Sequence, residues 1–129
     1  MHIVHAIAAH VAWKRRLRRI VAGLERMVPS DAVWHDDLCD LGLWMHGEGQ
    51  RMAGHPAFDA AFDAHVEFHR CAGDVVQALE HGDGARAEAL MAAGTAYDLA
   101  STAIVHHLEE LAAELDRRVS VRAQPAVAL

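Results

Sequence analysis

Ala61-Phe-Asp-Ala-His65-Val-Glu-Phe-His69-Arg70 sets two imidazoles four residues apart inside an otherwise apolar helical stripe. Four steps of about 100° return to nearly the same azimuth one turn along the axis, so both rings can meet a single ion from one helix. The stripe runs Phe58, Phe62, His65, His69, Ala72, Val76, Leu79. This alternation of four and three marks the inward seam of a bundle helix. Imidazoles buried there need partners, because an unsatisfied buried polar group costs on the order of 1–3 kcal/mol. A metal ion or a hydrogen-bond network has to supply them.

Working outward, the same periodicity accounts for most of the chain. A first helix is expected over residues 3–27, burying Ile3, Ile7, His10, Leu17, Ile20, Val21 and Leu24, with Pro29 ending it. Ser30 can cap a short second helix over 31–40, after which Leu41-Gly42-Leu43-Trp44 and Gly47-Glu48-Gly49 break regularity. The His65/His69 helix should start at Pro56 and stop at His81-Gly82-Asp83-Gly84. A fourth helix is expected over 85–118 on the stripe Ala87, Leu90, Gly94, Tyr97, Ser101, Ile104, Leu108, Leu111, Leu115, and residues 119–129 read as a frayed tail. With 129 residues, 53% hydrophobic content and three prolines, this describes one all-α domain over residues 1–118. Its architecture is a four-helix bundle with one short irregular second helix.

The net charge of −6 argues against a nucleic-acid surface. Lys14-Arg15-Arg16-Leu17-Arg18-Arg19 is a local basic run whose bland reading is a solvated helix face, with an acidic partner helix or an anionic surface as the alternative. No run of about 18 apolar residues suits a membrane span, and no secretory signal pattern opens the chain, so a cytoplasmic location is expected. Two cysteines, Cys39 and Cys71, make no disulfide framework. Metal binding or redox chemistry is the more natural use for one of them.

Collecting the inward polar groups gives His10 on the first helix, Cys39 near the end of the second, and His65 with His69. Four such ligands suit tetrahedral zinc. Satisfied core histidines and a packed thiol are the bland alternative for each residue taken singly. His35 and His46 sit in polar surroundings and are weaker ligand candidates. His5 and His2 lie off the azimuth of His10, and the His106-His107 pair falls on the outer side and flank of its helix.

The order His10-Val-Ala-Trp13-Lys14, Cys39-Asp-Leu-Gly42-Leu-Trp44, His65-Val-Glu-Phe-His69 resembles the chemoreceptor zinc-binding (CZB) domains. Their pattern is a His in an opening helix, a Cys-x-x-Gly-x-Trp turn and a His-x-x-x-His helix, and here it covers roughly residues 3–80. The resemblance implies a three-His, one-Cys Zn2+ site of His10, Cys39, His65 and His69. It also implies a homodimer and an output through a protein partner such as a chemoreceptor or a cyclic-di-nucleotide signalling protein. Asp40 and Leu43 stand where such domains more often carry basic residues.

A site closed by four protein ligands leaves no open position for substrate, so no enzyme is expected. Cys39, as a thiolate, would be the redox-sensitive member. Trp13 and Trp44 are expected to wall the site, and Cys71, about 160° round the helix from His69, to pack. Two other readings compete. One is a zinc-stapled dimerisation module without a sensing role. The other is a hemerythrin-like di-iron bundle using His106-His-Leu-Glu-Glu110, a reading opposed by the lack of inward carboxylates.

Overall fold

Three long helices carry the chain, and the first stops where the backbone itself dictates. In the computed structural model, which describes residues 3–123 and the side chains as far as residue 119, α1 spans Ile3–Val21. It ends at Gly23 rather than running to 27. Gly23 adopts φ +75°, Gly23 N–H donates to Ile20 O at 3.0 Å and Leu24 N–H to Arg19 O at 2.9 Å. This is the paired bonding of a Schellman cap, which a left-handed glycine allows. The expected burial of Leu24 fails for the same reason: beyond the cap it leaves the stripe and is 70% exposed.

The second position of the bundle is filled by short pieces. These are α2 (Ser30–Val33), α3 (Asp40–His46) and a 3₁₀ turn over Glu48–Met52. The single helix expected over 31–40 therefore stops at Val33, and Cys39 caps the next one. Then α4 (Pro56–Glu80) forms the centre, followed by α5 (Gly84–Leu90) and α6 (Ala96–Ala123). The fourth helix is thus broken in two. Gly94 sits at φ +81°, exposed instead of in the stripe, and Gly94 N–H donates to Asp98 Oδ2 at 2.9 Å while Asp98 N–H meets Thr95 Oγ1 at 3.4 Å. Thr95-x-x-Asp98 is a reciprocal cap of the capping-box kind that restarts the helix. Residues 119–123 continue α6, so the expected tail is shorter at its start, and residues 124–129 lie outside the described residues, as does His2.

The core sits between α4 and α6, with α1 packed on α6 and α2 laid across α4. Phe58, Phe68, Val75, Val76, Ile104, Leu108 and Leu111 are its fully buried members. Because α4 is covered from two sides, it buries a second row, Ala61, Phe68, Cys71, Val75 and Ala78, beside the stripe the sequence displays. Among the described residues the fold is all-α, a helical bundle, and no helix is long and apolar enough to cross a membrane.

Candidate metal centre

Cys39 is positioned by being the N-cap of α3. Its backbone is extended (φ −84°, ψ 164°) and its Sγ accepts from Gly42 N–H at 3.3 Å, so the sulfur is held at the N-terminus of α3. Gly42 is required there. A Cβ at this position would overlap the carbonyl oxygen of Asp36, which explains the Cys-x-x-Gly spacing in steric terms.

One turn apart on α4, His65 and His69 are 1% and 3% exposed. Their Nε2 atoms lie 3.3 and 3.4 Å from Cys39 Sγ. Ligand atoms of these three residues all fall within 4.8 Å of one another. Zinc with Zn–S of about 2.3 Å and Zn–N of about 2.05 Å at tetrahedral angles separates S from N by about 3.5 Å, so the donor set fits that ion. His69 is also oriented from behind: its Nδ1–H donates to Val33 O at 2.9 Å. The proton is thereby fixed on Nδ1 and the Nε2 lone pair is left facing the sulfur, the usual support for a ligating imidazole.

The Val33 carbonyl is held where it is by three clamps between the α2 segment and α4. Ser30 Oγ donates to the Glu80 carboxylate. Trp34 Nε1 donates to Asp74 Oδ1 at 3.3 Å. The Trp34 ring lies flush on Gly73, where a Cβ would overlap the indole.

The chemoreceptor zinc-binding domain model matches residues 10–76, a span that opens on His10 and takes in Cys39, His65 and His69. The chain belongs to this family. No curated protein and no solved structure matches it. As a chemoreceptor zinc-binding domain the chain has Zn2+ as its cofactor, and Cys39, His65 and His69 are the donors that the structure brings together.

The other expected site residues of this zinc-binding domain are placed as follows. His10 is buried on α1 and lines the same cavity of about 440 Å³ as the three donors, but its Nε2 meets Ser101 Oγ of α6 at 3.0 Å. Trp13 lines that cavity, with its ring centroid 5.3 Å from that of His69. Trp44 packs edge-on against Phe58 at 5.9 Å and over Gly49, and it is not part of the cavity wall. Five residues on from Cys39, it is turned about 140° round α3.

Cys71 is packed on α4. His46 is exposed and pairs with Asp36 Oδ2 at 2.6 Å, and His35 and His5 are also exposed. His106, His107 and Glu110 gather on the outside of α6, with His106 66% exposed, and so form a group separate from the buried donors. Sequence reasoning passed over Val33, Trp34 and Ser101. Only Ser101 carried a signal, as a hydroxyl inside an apolar stripe.

Burial sets the protonation states. It lowers His65 to about 3, with His69 adding to the effect, and lowers His10 to about 3 with help from Lys14 and His69. It also lowers His69, against the pull of the Val33 hydrogen bond. Burial raises the Cys39 thiol, opposed by the Gly42 N–H. Without metal the site therefore holds neutral imidazoles and a protonated thiol, and binding an ion must expel that proton.

Because His65 and His10 titrate lower in the folded than in the unfolded chain, the unfolded state takes up more protons between about pH 6.5 and 3. Their contribution to stability is complete above about pH 6.5 and is lost as pH falls toward 3. Each supplies a slope of up to about 1.4 kcal/mol per pH unit. The metal-free protein should accordingly melt markedly lower at pH 5 than at pH 7 when followed by circular dichroism. Equal melting temperatures would contradict the assignment of buried, neutral rings.

Proposed function

We propose that this domain is a zinc-dependent regulatory sensor, not an enzyme. In it His10, Cys39, His65 and His69 close around one Zn2+, and zinc supply and oxidation of Cys39 act on the same centre. The observation that carries this reading is the convergence of Cys39 Sγ with two imidazole Nε2 atoms at 3.3 and 3.4 Å. His10, whose ring shares their cavity, is the fourth ligand proposed. With all four donors supplied by protein the centre has the closed form of structural zinc. When bound, the ion would hold the Cys39 sulfur as thiolate and tie α1, α3 and α4 together.

Access supports the redox half. Cys39 is half-buried, unlike the two buried imidazoles, and it lies on a half-open cavity through which a small oxidant can reach it. A thiolate that takes an oxygen atom from peroxide, releasing water, becomes a sulfenate and a poorer ligand. Treatment of the zinc-loaded protein with peroxide should therefore release zinc to a chromogenic indicator in step with a mass increase on Cys39 and not on Cys71. Zinc that stays bound while Cys39 is oxidised, or leaves while it remains reduced, would remove the redox function and leave a zinc-stapled structural module.

The output is proposed to pass to a protein partner in the cytoplasm, a chemoreceptor or a cyclic-di-nucleotide signalling protein, from a homodimeric form of the domain. Val105 and Ala112, apolar positions flanking the buried stripe of α6, are half-buried in the protomer itself, whereas Leu99 and Val119 are 62% and 64% exposed. Sedimentation should show a dimer at tens of micromolar, roughly the range of small transient interfaces. A monomer at that concentration would defeat the pairing.

A further inference from the structure

The basic run Lys14-Arg15-Arg16-Leu17-Arg18-Arg19 is not used by the metal centre, and the structure divides it. Arg16 and Arg19 both lean on the carboxylate of Glu25, at 3.5 and 3.7 Å. Lys14, Arg15 and Arg18 have no ion pair among the described residues. These three line one groove, of about 280 Å³, between α1 and the start of α6. The cations left without a counter-charge are thus the ones that share a concave wall.

The facing wall brings hydroxyls. Tyr97 is 3% exposed, yet its hydroxyl is a buried polar atom with no protein partner, one of only two such side-chain atoms among the described residues. Lys14 Nζ stands 5.9 Å over its ring. Burial raises this phenol to about 12, with Arg18 acting against it and Asp98 adding to it, so at neutral pH the hydroxyl carries its proton. Ammonium and guanidinium groups have only donors to offer, so what these three cations lack is a negatively charged acceptor of their own. Ser101, the hydroxyl that meets His10, lies on the same floor. Asp98, the one carboxylate of the lining, is turned to the Gly94 N–H as a helix cap.

We infer that this groove binds a small oxyanion of the phosphate class, held by the Tyr97 hydroxyl and by Lys14, Arg15 and Arg18. Such an ion supplies several acceptor atoms and the missing negative charge at once. Size narrows the class. Pockets for drug-sized ligands run to about 300–1,000 Å³, so a groove of about 280 Å³ suits inorganic phosphate or the phosphate ester of a few-carbon alcohol, not a nucleotide.

Calorimetric titration of the zinc-loaded full chain with inorganic phosphate, and separately with glycerol 3-phosphate, tests this at constant ionic strength. Binding should saturate below about 10 mM, the affinity of a few charge-assisted contacts. Chloride should not compete. Tyr97→Phe and Arg18→Gln should each weaken binding about tenfold or more, as loss of a hydrogen bond to a charged group does. Arg16→Gln, whose side chain is occupied by Glu25, should change it less than about twofold.

Tyr97→Phe keeps the ring and deletes an unpartnered hydroxyl, so it should melt no lower than the parent, which separates lost binding from lost fold. Tighter binding of glycerol 3-phosphate would assign the groove to an organic ester, and tighter binding of phosphate to the free ion. No saturable binding, an unaffected Tyr97→Phe, or equal losses at Arg16 and Arg18 would reduce the run to a diffuse basic face. A glutamate-rich peptide that binds and is not displaced by phosphate would equally overturn the inference, in favour of an acidic protein partner.

Discussion

Replacing His69 with alanine is expected to weaken zinc binding by about two to three orders of magnitude and to lower the melting temperature of the zinc-supplied protein toward that of the metal-free one. This ring does two jobs. Its Nε2 faces Cys39 Sγ at 3.4 Å and its Nδ1–H ties the Val33 carbonyl at 2.9 Å, so its loss removes a donor and also unfastens α2 from the centre. Structural zinc in small domains contributes about 10–16 kcal/mol at neutral pH, energy that is also folding energy. A quarter of that is about 2.5–4 kcal/mol, or a fall in affinity of about 70- to 900-fold. Competition against a chromophoric chelator, read beside thermal melts with and without zinc, measures both halves. His106→Ala is the control, because that ring stands on the outside of α6 with Glu110 at 2.9 Å and should change neither quantity. If His106→Ala released zinc as readily as His69→Ala, the ligand set would be wrong.

Gly42→Ala should produce nearly as large an effect without touching a ligand. The new methyl would overlap the Asp36 carbonyl oxygen, a backbone atom that cannot rotate away. The first turn of α3 therefore has to move, and Cys39 moves with it, because its sulfur is anchored to the Gly42 N–H at 3.3 Å. Disturbing the groups that orient a metal ligand typically costs about 10–100-fold in affinity, and zinc binding should weaken by at least that much. Far-UV circular dichroism should change little, since α1, α4 and α6 hold the bulk of the helix. Gly84→Ala, where an added Cβ meets nothing within 4 Å, should leave affinity intact. Parent-like zinc binding in Gly42→Ala would show that α3 absorbs the methyl some other way.

What the sequence made legible was the periodic part. His65, His69 and the row from Phe58 to Val76 lie on the buried side of α4, and Tyr97 through Leu111 on that of α6, because a three-four alternation reports one covered face. It does not report a second. Phe68 and Cys71 are buried because α4 is covered from two sides, which only the tertiary arrangement decides.

The stops were missed where two signals competed. Pro29 looked like the end of the first helix, but Gly23 closes it six residues earlier, and Thr95 with Asp98 restarts a helix that the stripe through Gly94 made look continuous. The metal centre divides in the same way. Side-chain donors can be picked out by type and spacing, whereas the support from the Val33 carbonyl, the flush contact of Trp34 with Gly73 and the engagement of His10 by Ser101 depend on backbone positions and long-range packing that no spacing encodes. Trp44 shows the converse, since a motif tryptophan close to Cys39 in sequence is turned to the core.

The hydrogen bond between His10 Nε2 and Ser101 Oγ, 3.0 Å long and spanning 91 residues, acquires a meaning once His10 is proposed as the fourth ligand. An imidazole that binds zinc through that nitrogen has to give up the serine. The net worth of such a bond, about 0.5–1.5 kcal/mol, is then subtracted from the free energy of loading and raises the free-zinc concentration at half-saturation by about two- to tenfold. On that reading thermodynamic reciprocity would make the exchange run both ways: zinc would loosen the hold of the first long helix on the last, and anything that tightens that hold would drive zinc off. With His10 as the fourth ligand, the contact would act as a set-point, fixing how scarce the ion must become before the two ends of the fold clasp each other again.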